Sequence, residues 1–231
     1  MKITKYGLCC LLIEEAGLRI LTDPGSYTIE EQSGLKGIDI ILITHEHQDH
    51  FHVESVKKIL ANNPQAKIIT NASVGALLDK EGIAYSVVAD GQKTTEKKAG
   101  AKAGANDASV SIEGIGLKHA PIYPAWPPVE NTGYLLAGRL FYPGDAFTDP
   151  KRPIEILALP VAAPWLKFSE VADYLFAVRP KRWFGVHDGM VKGPNFIAMM
   201  LDRIAAAPPE GIAPLASIHI PLEIGKETDL G

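Results

Sequence analysis

At 231 residues, 46% hydrophobic and 22% charged, the chain is long for one domain and short for two, with the apolar content of a globular protein that buries a sizeable core. A formal net charge of −4 removes any global electrostatic drive toward nucleic acid or anionic membrane, and no run approaches the ~18 apolar residues of a membrane span. These bounds set the expectation of a single domain over residues 1–231, cytoplasmic, acting on a small molecule without nucleic acid or membrane as partner, and free to form a homo-oligomer.

The opening MKITKYGLCCLLIEEAG lacks the pattern of a signal peptide, because its apolar stretch is short and interrupted by Glu14 and Glu15. It reads as strands over 2–6, 8–14 and 18–22, with EEAG turning one pair and TDPG ending the third. Cys9 and Cys10 are neighbours in an extended stretch, so their side chains point to opposite faces. They read as buried thiols in a reducing compartment, and as poor metal ligands because no third cysteine exists to complete a thiolate site. A loop rich in Gly, Ser and Glu leads to a buried strand over 38–43. VESVKKILANN has apolar residues at helical spacing, and NNP stops it. AKIIT reads as strand, NASVGALLDKEG as a helix capped by Asn71 and closed by Gly82, and AYSVV as strand again. The alternation is β/α.

Residues 91–108, GQKTTEKKAGAKAGANDA, have little to bury and read as a solvated hairpin loop. Strands follow near 109–118, 132–137, 139–142 and 154–159. FSEVADYLFAV then supplies a helix, KRWFGV a strand, PNFIAMMLDRIAAA a helix and ASIHIPLEI a last strand. Twice a buried strand runs into histidine, in IILITHEH and RWFGVHDG, which hints at two similar halves with ligands at the sheet ends.

THEHQDHFH, residues 44–52, contains four of the chain's seven histidines. In an extended strand end His45 and His47 project to one side, and the turn that follows can bring Asp49 and His50 to the same place. Imidazole and carboxylate suit Zn²⁺, Mn²⁺ or Fe. Three imidazoles and a carboxylate exceed what one tetrahedral ion accepts with a position left open, so the spacing suggests two ions. Further candidates close apolar strands downstream: His119 in GIGLKHA, Asp145 in RLFYPGDA and His187 in RWFGVHDG.

Taken in order, THEHQDH, LKHA, YPGDA and FGVHDG resemble the ligand motifs of the metallo-β-lactamase superfamily, and LLIEEAGLRILTDPG is similar to its N-terminal hairpin. The resemblance runs from about Lys2 to beyond His187 and looks most like the single-domain branch that includes ascorbate-6-phosphate lactonase. It implies an α/β four-layer αβ/βα sandwich, with two mixed sheets face to face and helices outside. It implies that His45, His47 and His119 hold one metal, that Asp49, His50 and His187 hold the other, and that Asp145 bridges them. Asp23 would orient a ligating imidazole through its other ring nitrogen. Two divalent ions, zinc first and manganese or iron as alternatives, would then provide a metal-bound hydroxide, with Asp49 orienting it or shuttling its proton. Where that branch carries Gly-His-Ser after its first strand, this chain reads GLCC.

The proline-stiffened segment HAPIYPAWPPVENTGY is the candidate specificity element, with Tyr123 and Trp126 as pocket walls, and Trp165 and His52 as further candidate substrate contacts. Glu46 and His219 read as structural. The resulting expectation is a metal-dependent hydrolase of a small ester, lactone, amide or phosphodiester. The alternatives are a mononuclear iron persulfide dioxygenase, an RNA-processing nuclease and a non-catalytic metal-binding module.

Overall fold

The computed structural model describes residues 1–98, 109–189, 191, 193 and 195–231. Its first half runs β1 (Lys2–Gly7), β2 (Cys10–Glu15), β3 (Leu18–Thr22), α1 (Ile29–Ser33), β4 (Ile40–Leu42), α2 (Val53–Asn62), β5 (Lys67–Thr70), α3 (Ala72–Lys80) and β6 (Ser86–Val87). The second half runs β7 (Lys93–Lys97), β8 (Ser109–Ile115), β9 (Gly133–Leu136), β10 (Leu140–Tyr142), β11 (Ile156–Pro160), α4 (Phe168–Val178), β12 (Arg182–Val186), α5 (Asn195–Ala206), β13 (Ile218–His219) and β14 (Glu227–Asp229).

Each sheet has seven strands, in the orders β14-β1-β2-β3-β4-β5-β6 and β13-β12-β11-β10-β9-β8-β7. Both are mixed in the same way. β14, β1, β2 and β3 pair antiparallel and β3 through β6 parallel. Correspondingly, β7 through β10 pair antiparallel and β10 through β13 parallel. An Ala-Gly turn at positive φ closes a hairpin in each half, Ala16-Gly17 between β2 and β3 and Ala137-Gly138 between β9 and β10. That backbone twist matches the twist of the strands it joins. The two-half organisation hinted at by the strand-end histidines is thus present in the topology.

Three apolar clusters make four layers. Ile3, Leu11, Ile13 and Ile20 of one sheet meet Val110, Tyr134, Tyr142 and Phe184 of the other in the centre. Val56, Ile59, Val74 and Leu78 of α2 and α3 cover the outer face of the first sheet. Val171, Leu175, Leu201 and Ala205 of α4 and α5 cover the second. With both faces covered, β2 is buried through Cys10, Leu11, Leu12 and Ile13 rather than alternating. The two cysteines do face opposite ways: Cys9 lies in the central cluster and Cys10 in the outer one. The fold is an αβ/βα sandwich.

Three local expectations need correcting. The lysine-rich segment is not all loop: Lys93–Lys97 pairs with β8, from Lys93↔Glu113 to Lys97↔Ser109. It alternates exposed Lys93, Thr95 and Lys97 with partly buried Thr94 and Glu96, which carries no apolar signal, and residues 99–108 lie outside the described residues. The last strand shrinks to Ile218–His219, because Pro221 cannot donate to a ladder. The polar ETD of β14 returns to pair with β1, a long-range partnership that local sequence does not announce.

Asn71 caps α3 and also fixes the ligand loop to it. Its Oδ1 accepts from Val74 N at 3.1 Å, and its Nδ2 donates to Thr44 O at 2.8 Å, with the side chain buried. Asn71→Ala loses the cap and one of the two bonds to Thr44 O, which keeps Thr132 N at 3.0 Å, so it is expected to lower stability by about 1 kcal/mol. A urea-unfolding midpoint that moves down with an unchanged slope is the measurement.

Candidate metal centre

The candidate ligands converge at one end of the sandwich, each just past the end of a strand. Ile43 and Thr44 carry the chain from β4 to His45, a loop carries it from β8 to His119, Pro143-Gly144 leads from β10 to Asp145, and β12 leads directly into His187. Ligand-capable atoms of His45, His47 and His119 lie within 4.8 Å of one another, and so, as a second group, do those of Cys9, His50, Asp145 and His187. Asp145 faces both groups: its Oδ1 is 3.2 Å from His50 Nε2, and its Oδ2 is 3.4 Å from His119 Nε2 and 3.1 Å from His187 Nε2. Asp49 Oδ2 is 3.4 Å from His187 Nε2 and 3.7 Å from His50 Nε2. His45, His50, His119, Asp145 and His187 are buried, while His47 and Asp49 are partly exposed at the mouth.

Each buried imidazole is held through Nδ1. His50 Nδ1 donates to Asp23 Oδ2 at 2.7 Å, His119 Nδ1 to Ala120 O at 2.5 Å, and His187 Nδ1 to Ala162 O at 2.7 Å. Thr44 Oγ1 donates to Asp23 Oδ2 and thereby accepts from His45 Nδ1 at 3.0 Å. This fixes one tautomer and aims the Nε2 lone pair inward, the arrangement that metal-ligating histidine requires. Among the described residues, His50 Nε2, His119 Nε2, His187 Nε2 and Asp145 Oδ1 are buried without a hydrogen-bond partner. Such convergence is costly unless a cation completes it, so the donor set fits divalent metal.

Charge inside the cluster is unevenly distributed. Burial drives His45 well below the ordinary histidine range, and His47 below it, with neighbouring imidazoles adding to the effect. Burial also opposes a proton on His50 and His187, but there the acidic neighbours outweigh it. Asp145, Cys9 and Asp23 hold His50 well above its usual value, and Cys9, Asp145 and Asp49 push His187 up to about 11. Burial would raise Asp145, yet His50, His119 and His187 hold it well below the carboxylate range; His187 and His50 likewise hold Asp49 below it. The second group therefore binds protons where a cation would compete with them.

Other residues build the frame. Asn131 Oδ1 accepts from Asp145 N at 3.0 Å, and its Nδ2 donates to Pro143 O at 2.9 Å. Gly144 has φ +63°, and a Cβ there would sit 2.4 Å from Asn131 Oδ1. Trp165, expected at a pocket wall, lines a cavity of about 550 Å³ with Phe147 and Glu170, and its Nε1 also donates to Asp145 Oδ2 at 2.7 Å. Lys5 is buried, its Nζ bonded to Asp188 Oδ1 at 2.5 Å and Gly185 O at 2.8 Å, and so braces the turn that carries His187. Tyr123 and Trp126 pack edge to face, centroids 5.9 Å apart, and with His47 and His119 line a second cavity of about 470 Å³. His52 stands at the start of α2 with Nδ1 2.9 Å from Ser55 Oγ, and His219 stacks on Trp183. Local sequence leaves no signal for the supporting contacts of Thr44, Asn131 and Tyr142, and Cys9, a poor ligand by cysteine count, lies beside the second group.

A family model described as a beta-lactamase superfamily domain matches residues 2–187. A Mycobacterium tuberculosis protein, Rv0786c, is 35% identical over 196 residues, which is 83% of this chain and 85% of that one. A UPF0173 metal-dependent hydrolase of Aeropyrum pernix is 32% identical over 155 residues, 62% of this chain and 61% of its own. Among solved structures, Igni18, a metallo hydrolase from Ignicoccus hospitalis, superposes with a TM-score of 0.69 at 16% identity, covering 98% of this chain and 97% of that one. CmlA, a diiron β-hydroxylase from Streptomyces venezuelae, gives 0.67 at 14% identity over 99% of this chain and 54% of that one. At such identities the two structures speak for the fold alone.

The turn Asp23–Ser26 clamps the ligand loop, with Ser26 N donating to Gln48 O and His52 N to Pro24 O. A Cβ on Gly25 would lie 1.8 Å from Asp49 O and 2.7 Å from His50 N, so the loop rests directly on that glycine. Gly25→Ala is expected to push Asp49 and His50 outward and weaken binding of an ion at these side chains by about ten- to a hundredfold. Zinc titration of the folded variant reads this.

Proposed function

The chain belongs to the metallo-β-lactamase superfamily and is a metal-dependent hydrolase, and on that premise we propose that it acts through two adjacent divalent ions on a small ester, lactone, amide or phosphodiester. The observation that carries this reading is the set of buried, partnerless donor atoms on His50, His119, His187 and Asp145, aimed at one space. His45, His47 and His119 would hold one ion, Asp49, His50 and His187 the other, and Asp145 would serve both, since its oxygens face both groups. Zinc suits the imidazole-rich donor set, with manganese or iron as substitutes.

When bound, two such ions acidify a water molecule and polarise a carbonyl or phosphoryl oxygen. The chain's own residues supply the rest. Asp49 stands at the mouth with its carboxylate held ionised, placed to take the proton of the attacking water and pass it toward the leaving group. Trp165 and Asn131 fix Asp145 from the side chain and from the backbone. Asp23 and Thr44 hold His50 and His45 in the ligating tautomer. The cavity walled by Tyr123, Trp126 and the prolines is apolar and of a size for a small molecule, so an acyl or aryl portion would sit there with its reactive group at His47 and His119. No helix among the described residues is long and apolar enough to cross a membrane. We place the whole chain, as one domain, in small-molecule chemistry of the cytoplasm.

Elemental analysis of the fully loaded protein is expected to find two ions per chain. Asp145→Ala should lower occupancy of both, whereas His187→Ala should empty mainly one. At most one ion in the wild type would overturn the dinuclear reading.

Hydrolysis and iron-dependent oxygenation can share such a ligand set, and they differ in where the product's new oxygen originates. Screening lactones, esters and phosphodiesters with defined Zn²⁺, Mn²⁺ and Fe²⁺ loading supplies a substrate. Turnover is then expected with redox-inert Zn²⁺ under anaerobic conditions, with label from ¹⁸O-water entering the product. Turnover that needs both iron and O₂ would assign the site to oxygen chemistry instead.

A further inference from the structure

We propose that Cys9 is a metal ligand, its thiolate completing the group formed by His50, Asp145 and His187. The proposal rests on the metal-binding reading above and adds to it a residue that gives the second ion a sulfur donor. The Cys9 Sγ, a ring nitrogen each of His50 and His187, and a carboxylate oxygen of Asp145 all lie within 4.8 Å of one another. A tetrahedral zinc holds a sulfur and a nitrogen donor about 3.6 Å apart, so donor atoms that all lie within 4.8 Å of one another are near enough to gather on one ion as it binds. Independently of the sulfur, His50 Nε2, His187 Nε2 and Asp145 Oδ1 are buried, partnerless and turned into the same space.

A buried cysteine ordinarily acts as a small apolar residue. Cys10 fits that description: it lies in the outer apolar cluster with Phe51 and Val74, and burial pushes its thiol far up. Cys9 differs. Its side chain borders the central cluster, but its sulfur faces two imidazoles and a carboxylate. Its backbone is also held firmly. The Cys9 carbonyl accepts from Thr22 Oγ1 at 2.9 Å, and the preceding Leu8 adopts φ +44° while its carbonyl accepts from His187 N at 3.0 Å. A non-glycine residue at positive φ is strained, and here that conformation sets the chain against the residue that carries the His187 imidazole. The thiol proton leaves to solvent as the metal–sulfur bond forms, with no change of oxidation state. A soft donor at this position also biases the second ion toward zinc, cobalt or iron and away from manganese.

Cobalt substitution tests this directly. The chain has two cysteines, so in Cys10→Ala a thiolate-to-cobalt charge-transfer band can arise only from Cys9. Full-length wild type and Cys10→Ala, stripped of metal and reloaded with Co²⁺ under anaerobic conditions, should both show that near-ultraviolet band at an intensity of one thiolate per chain. Cys9→Ser and Cys9→Ala should lose it while keeping the visible ligand-field bands, and should weaken the second Zn²⁺ by about tenfold or more. Two cobalt ions bound to Cys10→Ala without the charge-transfer band would overturn the Cys9 assignment and leave the dinuclear reading standing. One cobalt per chain with the band would overturn the dinuclear reading and keep Cys9 as a ligand. A protein that takes up no cobalt would end both.

Discussion

The centre is organised around one buried carboxylate. Asp23 is fully excluded from solvent and accepts four hydrogen bonds: from Thr44 N at 2.8 Å, Thr44 Oγ1 at 2.8 Å, His50 Nδ1 at 2.7 Å and Tyr142 Oη at 2.6 Å. Those donors come from the end of β4, from the ligand loop and from β10 in the opposite sheet. A buried charge without partners costs several kcal/mol, so the folded state is stable only when all these groups meet. The carboxylate thereby couples the packing of two sheets to the orientation of an imidazole. Removing it would disturb the sandwich and the ligand set together.

Around that anchor the backbone takes conformations it would otherwise avoid. Leu8, Asp23 and His187 all have positive φ, and all three lie at the ligand end of the sheets. Each is held from outside itself: Asp23 N donates to Leu42 O, and His187 N donates to Leu8 O across the two sheets. Close approach does the same work at Gly25 and Gly144, where a single methyl group would meet Asp49 O or Asn131 Oδ1. The side chains are positioned because the chain beneath them has few alternatives. A ligand set assembled from four separate segments needs that rigidity, since a displacement of about 1 Å is enough to spoil coordination.

Sequence made the candidate ligands legible because metal chemistry concentrates rare residues. His45, His47, Asp49 and His50 fall within six positions, and His119, Asp145 and His187 each follow an apolar strand. The sheets were legible for a related reason: doubly covered strands such as ILALP are continuous apolar runs. What sequence hid was everything that acts at a distance. Tyr142 reaches Asp23 from 119 residues away, and Lys5 reaches Asp188 from 183. Neither pairing leaves a local pattern. Asn131 and Trp165 likewise hold Asp145 from ordinary loop sequence, and β14 finds β1 through backbone bonds that any residue can make. Cysteine count alone makes Cys9 a poor ligand candidate, and only the topology shows its sulfur beside two imidazoles and a carboxylate.

Charge balance connects the frame to the chemistry the site would perform. Two divalent ions would bring four positive charges against the carboxylates of Asp23, Asp49 and Asp145, leaving the centre one charge positive. Such a centre favours an electron-rich carbonyl or phosphoryl oxygen, and it would hold an anionic product tightly. A Cys9 thiolate takes the balance to zero. The ions then polarise a substrate less strongly, but a carboxylate or phosphate product leaves more easily. The apolar walls at Tyr123 and Trp126 act in the same direction, since they would retain the uncharged portion of a substrate and give nothing to a small anion. In a site where release limits turnover, that combination suits repeated cleavage of neutral molecules better than retention of charged ones.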